Sequence, residues 1–289
     1  MSSKPAMLAI IGGGNMARAI ISGACKSRLI AHNEIIVVEP DPRQREDLKH
    51  WGVEATTDHH AAISRLKAPA THAPDDDLGP WKFGGQVLLA VKPQVLPDAA
   101  KQIRPAMEET PRVVISILAG TPTAKIAALL GPQHPVVRVM PNTPARIGKG
   151  MAAITAGQNA LPAHLELAEA LFMGLGEVVK IDESLMDAFT AVAGSGPAYV
   201  FFLAEIMLRA ARDLGFDRIT ADRIVRQTVM GSAALLSEST EPPEALRAQV
   251  TSKGGTTEAA LRVLEQRQVI DAFTAALTAA RDRGRELSK

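Results

Sequence analysis

Eight residues near the amino terminus, Ile10-Ile11-Gly12-Gly13-Gly14-Asn15-Met16-Ala17, limit this chain's folding options more than any other stretch. They join an apolar run, Met7–Ile11, to a helical pattern with no room for a loop. Gly12 permits the tight turn, Gly14 lets backbone approach a pyrophosphate, and small Ala17 lets the helix lie close to a sheet. Free N–H groups at the helix start then face anionic groups where the helix dipole favours them. A second apolar strand, Glu34–Val38, follows and ends in Glu39, at a spacing suited to an acidic residue that takes ribose hydroxyls. Strand, turn, helix, strand and terminal acid together predict a dinucleotide site.

The alternation continues. Short apolar strands read at Gln86–Val91, Arg112–Ile117, Val136–Met140, Met151–Ile154 and Val178–Ile181, separated by helical patterns. Runs without strict alternation are those of strands buried on both faces, so the first part is expected to be a doubly wound parallel α/β sheet. After about Glu183 nearly everything reads as helix, with stripes at Phe202, Ile206 and Ala210 and at Val269, Ile270, Phe273, Ala276, Leu277 and Ala280. Two domains are expected: 1–182 for the dinucleotide and 183–289, all helical, for dimerisation and substrate.

At 289 residues the chain has the length for two cores. Net charge is +1 from 32 basic and 31 acidic residues, which speaks against a nucleic-acid or anionic-membrane partner. Cys25 is the single cysteine, so an intramolecular disulfide and a cysteine-based zinc site are excluded. With no signal-length apolar run after a basic segment, the expectation is a cytoplasmic protein. The adjacent His59 and His60 make a poor metal site, and no metal is expected. The stretch Lys67–Gly85, with Asp75, Asp76 and Asp77 among prolines and glycines, reads as a solvated loop.

Ligands of doubly wound sheets sit beyond the carboxyl ends of the strands. Three segments fall there: Ala90-Val91-Lys92-Pro93, Ser116-Ile117-Leu118-Ala119-Gly120 and Met140-Pro141-Asn142-Thr143-Pro144. From position alone, Lys92 reads equally as a surface lysine or a ligand contact. In the helical part, Val250-Thr251-Ser252-Lys253-Gly254-Gly255-Thr256-Thr257 precedes a helix and suits a small carboxylate, whereas a bare cap by Thr256 or Thr257 needs fewer glycines. Gly194-Ser195-Gly196-Pro197-Ala198-Tyr199 is a second tight element, with Ser195 expected as a helix cap.

Taken in order through nearly the whole chain, the motifs at 12–17, 90–93, 140–144, 194–199 and 250–257 resemble those of pyrroline-5-carboxylate reductases. The resemblance implies a Rossmann domain and a helical dimerisation domain. It also implies reduction of the C=N bond of 1-pyrroline-5-carboxylate to L-proline by NADPH or NADH. In the family, the active site forms where the cofactor of one subunit meets the helices of its partner in a homodimer, and rings of dimers occur. Carried over by position, Ser252, Gly255 and the N–H groups of Thr256 and Thr257 hold the substrate carboxylate, and the Thr257 hydroxyl meets the ring nitrogen. Gly12, Gly14, Asn15 and Met16 take the pyrophosphate end. Glu39 and His59 fall on the adenosine side, and Ala90, Lys92 and Pro93, with Pro141 and Asn142, on the nicotinamide side.

The sequence departs from the family pattern at Glu39, which opposes a 2′-phosphate unless Arg43 compensates, at His59, at Lys253 and in the Lys67–Gly85 insertion. NADH and NADPH therefore both stay open. A β-hydroxyacid dehydrogenase on the same plan needs a lysine on the long helix after Pro197, and Tyr199-Val-Phe-Phe-Leu-Ala-Glu205 has none. A cofactor sensor without turnover is the remaining alternative.

Overall fold

A computed structural model describes residues 4–69, 81–108 and 110–288. Residues 70–80, with Asp75, Asp76 and Asp77, lie outside the described residues, so the solvated-loop reading of that stretch does too. The chain divides into two compact units, 1–194 with 281–289, and 195–280.

Among the described residues, the first unit is a sheet of eight strands with helices packed on it. In chain order these are β1 (Leu8–Ile11), α1 (Asn15–Lys26), β2 (Ile35–Val38), α2 (Pro42–His50), β3 (Glu54–Thr56), α3 (His59–Ser64), β4 (Gln86–Leu89), α4 (Leu96–Met107), β5 (Val114–Ser116) and α5 (Thr123–Leu130). There follow β6 (Val136–Pro141), β7 (Gly150–Ala156), α6 (Leu165–Met173), β8 (Gly176–Lys180) and α7 (Met186–Phe189). Sheet order is β3-β2-β1-β4-β5-β6-β7-β8, so the direction of winding reverses between β1 and β4. In-register pairs such as Ile10↔Val37 and Ile10↔Leu88 place the carboxyl ends of β1, β2 and β4 level with one another. The switch point lies at that edge.

Strand side chains alternate between two cores. Leu8, Ile10, Ile35, Val37 and Leu88 pack on one face with Ala17, Ile20 and Ile21 of α1 and Leu171 and Phe172 of α6. Ala9, Ile11, Ile36, Val38, Val87 and Leu89 pack on the other with α3, α4 and α5. Burial on both faces explains the unbroken apolar runs in the sequence.

Two features depart from the sequence expectation. The edge strand β3 carries Glu-Ala-Thr and pairs with β2 through Ile36↔Glu54 to Val38↔Thr56; an edge strand needs no apolar run. Strand β7 runs antiparallel to β6 inside an otherwise parallel sheet. Only residues 142–149 separate the two, too few for a crossover helix, so the chain must turn straight back.

The second unit holds α8 (Gly196–Asp213), α9 (Arg218–Glu238), α10 (Pro243–Gln249), α11 (Thr256–Gln266) and most of α12 (Val269–Ser288). Tyr199 and Phe273 meet edge to face with ring centroids 5.6 Å apart. The unit buries few apolar side chains within one chain, namely Ala211, Ala221 and Val225, whereas Phe201 is 67% and Phe202 62% exposed. The stretch Glu183–Asp213 is long and apolar enough, by length and composition, to cross a membrane, and almost none of it is buried in the single chain.

Candidate functional site

Gly12 leaves β1 at φ +103°, a conformation an L side chain adopts only under strain, and a Cβ there would stand 2.8 Å from the Ala90 carbonyl oxygen. Gly14 occupies the N-cap position of α1 with no side-chain cap, and a Cβ placed on it would meet nothing within 4 Å. The first intrahelical bond, Arg18 N–H to the Gly14 carbonyl, lies 3.0 Å long, so the amides of the first turn precede the helical ladder. This is an uncapped helix start with open space before it, which fits a pyrophosphate.

Beside the turn lies a cleft of about 450 Å³. It is lined by the predicted residues Gly12, Gly14, Glu39, His59, Ala90 and Lys92, all from the switch-point edge. Asn15, Met16, Pro93, Pro141 and Asn142 do not line it. Gln44, Thr57, Val95, Asp98 and Gln102 do, and sequence reasoning missed them. They come from α2, the loop after β3, the segment before α4, and α4 itself. Only the packing of those elements on the sheet brings them to the cleft, so the sequence offers no local signal.

Glu39 is 6% exposed, and both its oxygens are held by main chain. Oε2 accepts the Gly13 N–H at 2.8 Å, and Oε1 accepts the Asp41 N–H at 2.9 Å. The acidic end of β2 is thereby tied to the glycine turn after β1. His59 opens α3 behind an Asp58 cap, and burial pushes its imidazole below the ordinary histidine range, against the opposing pull of Asp58 and a Gln102 hydrogen bond. The neutral ring is favoured there.

Asn142 follows β6. Its Oδ1 accepts the Met151 N–H at 2.9 Å and its Nδ2 donates to the Ala193 carbonyl at 3.0 Å. It thereby ties β7 to a π-turn over Thr190–Gly194. Ser195 takes the expected N-cap position of α8, but its side chain makes no capping bond, because the chain enters from that π-turn already coiled.

In the helical unit the expected anion element is organised around glycine. Gly254 has φ +74°, its N–H donates to Glu258 Oε2 at 2.7 Å, and Gly255 N–H donates to the Ser252 carbonyl at 3.0 Å. A Cβ on Gly255 would overlap Ser252 Oγ, so glycine allows that hydroxyl to fold over the turn. The N-cap of α11 is Gly255, not Thr256 or Thr257, and it brings no side chain to the helix start. The first-turn amides of α11 and the Ser252 hydroxyl lie together at this helix start.

A family model described as "Pyrroline-5-carboxylate reductase dimerisation" matches residues 183–287, and one described as "NADP oxidoreductase coenzyme F420-dependent" matches residues 7–68. The chain is 38% identical to a pyrroline-5-carboxylate reductase of Synechocystis, with 98% of each covered, and 36% identical to one of Haemophilus influenzae, with 97% of each covered. Among solved structures, a pyrroline-5-carboxylate reductase of Coxiella burnetii superposes with a TM-score of 0.85 at 33% identity, covering 99% of both chains.

Proposed function

The chain belongs to the pyrroline-5-carboxylate reductase family, and from that premise we infer how it reduces the C=N bond of 1-pyrroline-5-carboxylate to L-proline at the expense of NAD(P)H, the last step of proline synthesis. The likeness over 98% of the chain to a reductase of that name carries this reading.

We propose that the cleft at the switch point holds the dinucleotide. Gly12 makes the turn, and the amides from Gly14 to Met16, Asn15 included, receive the pyrophosphate. Glu39 takes the adenosine ribose, His59 borders the adenine, and Ala90, Lys92 and Pro93 border the nicotinamide ribose with Pro141 and Asn142. Ser252, Gly255, Thr256 and Thr257 hold the substrate: the Ser252 hydroxyl and two backbone amides bind the carboxylate, and the Thr257 hydroxyl orients the ring nitrogen.

When bound, the reduced nicotinamide supplies a hydride to the imine carbon, and the C=N electron pair moves onto nitrogen. A protonated imine is already electrophilic, so the chain's task is orientation of two reactants, which can account for much of the acceleration. Protonation by solvent before hydride transfer suffices, and no strong acid or metal is assigned. The division of labour is 1–182 for the dinucleotide and 183–289 for substrate and dimerisation.

The apolar stretch Glu183–Asp213 and the exposed Phe201 and Phe202 are assigned to a homodimer interface rather than to a lipid bilayer, in keeping with the dimerisation match over 183–287. Rings of dimers and a cytoplasmic location, where NAD(P)H is supplied, belong to the same proposal.

The test is consumption of reduced nicotinamide absorbance with 1-pyrroline-5-carboxylate, in wild type and in Thr257→Val. The variant is expected to keep its fold and lose activity at both saturating and limiting substrate. Unchanged turnover under both conditions would remove Thr257 from the mechanism.

A further inference from the structure

We propose that Glu39 makes this enzyme prefer NADH, by keeping the 2′-phosphate of NADPH out of the ribose pocket. The inference rests on the dinucleotide reading of the cleft and goes beyond it by choosing between the two cofactors.

The carboxylate has little freedom to move aside. Oε1 is held by the Asp41 amide and Oε2 by the Gly13 amide, inside the wall of the cleft and on the turn that meets the dinucleotide. A fixed pair of acceptors suits two neighbouring hydroxyl donors, as in an unphosphorylated ribose. It opposes a phosphate dianion.

A 2′-phosphate needs cations, and Arg18 and Arg45, near β2, are bonded elsewhere. Arg18 donates to the Gly13 carbonyl, Asp47 and the Gln44 carbonyl. Arg45 donates to the carbonyls of Glu39 and Pro40. Arg43 is exposed and does not line the cleft. Asp41 caps α2 through the Arg43 amide, and its carboxylate attracts the Arg43 guanidinium.

Of the residues that line the cleft, Lys92 carries a positive charge, but it follows β4. Strands β2 and β4 flank β1, so their ends stand two strand spacings apart, about 10 Å. His59 is favoured neutral by its burial.

The experiment measures dissociation constants of NADH and NADPH by nicotinamide fluorescence, with 5′-AMP and 2′,5′-ADP as fragments that report the ribose end alone. Wild type, Glu39→Ser, Glu39→Gln and Arg43→Ala are compared, with thermal melts to confirm folding. Glu39→Gln keeps an acceptor for one of the two amides and guards against a folding defect in Glu39→Ser. Wild type should bind NADH at least about 10-fold more tightly than NADPH, a difference of about 1.4 kcal/mol. Both Glu39 variants should shrink that ratio by a similar factor, chiefly through tighter NADPH and 2′,5′-ADP binding, and Arg43→Ala should leave it unchanged.

Tighter NADPH than NADH binding in wild type, a ratio indifferent to both Glu39 variants, or collapse of NADPH binding in Arg43→Ala would each overturn the role of Glu39 while leaving the dinucleotide site intact. Folded wild type that binds neither dinucleotide would instead overturn the underlying reading.

Discussion

Two glycines in the same turn make opposite predictions, and the contrast separates folding from binding. Gly14 has φ −65° and ψ −177°, open to any residue, and a Cβ there meets nothing within 4 Å. Gly14→Ala should therefore fold as well as wild type, and gain up to about 1 kcal/mol from a less flexible unfolded chain. The added methyl stands where the pyrophosphate has to approach. An amide–phosphate bond needs a separation of about 2.9 Å, whereas a carbon in contact needs about 3.5 Å or more. The phosphate is displaced by roughly that difference and loses one charge-assisted bond worth about 1.5–3 kcal/mol. Dinucleotide affinity should fall by about 10-fold to 100-fold.

Gly12→Ala differs in kind. It pays backbone strain of about 1–3 kcal/mol at φ +103°. Its Cβ also lands 2.8 Å from the Ala90 carbonyl, which cannot retreat freely because the Ala90 amide is bonded to Ile11 at 2.8 Å. A total loss of about 3 kcal/mol or more is expected. Urea denaturation and NADH fluorescence titration read the two effects separately. Wild-type cofactor affinity in folded Gly14→Ala would refute the placement of the pyrophosphate, and wild-type stability in Gly12→Ala would refute the steric argument.

Other expectations concern the frame around the site. The buried Arg112 guanidinium donates to the carbonyls of Leu66, Lys67 and Gly85, fastening both sides of the 67–85 segment. Arg112→Met should cost about 3 kcal/mol in urea denaturation, and a cost under about 1 kcal/mol would mean the freed carbonyls find water. Asn142→Asp keeps the acceptor for Met151 but sets a carboxylate oxygen against the Ala193 carbonyl, and should destabilise by about 2 kcal/mol; an unchanged denaturation midpoint would refute the tie. Burial holds His59, His134 and His164 below the ordinary histidine pKa of 6.5, and the Nδ1 atoms of His134 and His164 accept amides of Arg112 and Leu161. The unfolded chain then binds more protons, so stability should be full above about pH 6.5 and decline as pH falls below it. His134→Asn, which keeps an acceptor for Arg112, should flatten that slope in urea midpoints taken across pH.

The parts of this molecule that were legible in the sequence are those whose cause is local. The Gly12 turn, the doubly buried strands around Ile10, Val37 and Leu88, and the glycines before α11 each carry their reason within a few residues. Strand β3 was not legible, because Glu54–Thr56 is held by pairing with β2 rather than by its own composition. The reversal at β7 is set by the length of the 142–149 connection, which apolar patterning does not reveal. Glu39 stood out by spacing, yet its bond to Gly13 spans 26 positions, and that bond fixes the carboxylate. The position of Asn142 after β6 is legible in the sequence, and its engagement with Met151 and Ala193 is not, because only the folded sheet creates it. The helical unit showed its stripes in sequence, but whether they face a core or a second chain depends on burial, and Phe201 and Phe202 are left exposed.

The reaction assigned to this chain is hydride transfer from a nicotinamide to a cyclic imine. Its most direct test is incubation of the enzyme with 1-pyrroline-5-carboxylate and reduced nicotinamide cofactor deuterated at ring carbon C4 on one face at a time, followed by mass spectrometry of the product. One of the two labelled cofactors should give proline one mass unit heavier, about one deuterium per molecule, located on the δ-carbon that had been the imine carbon. Unlabelled proline from both cofactors, or oxidation of the cofactor without formation of proline, would contradict the account.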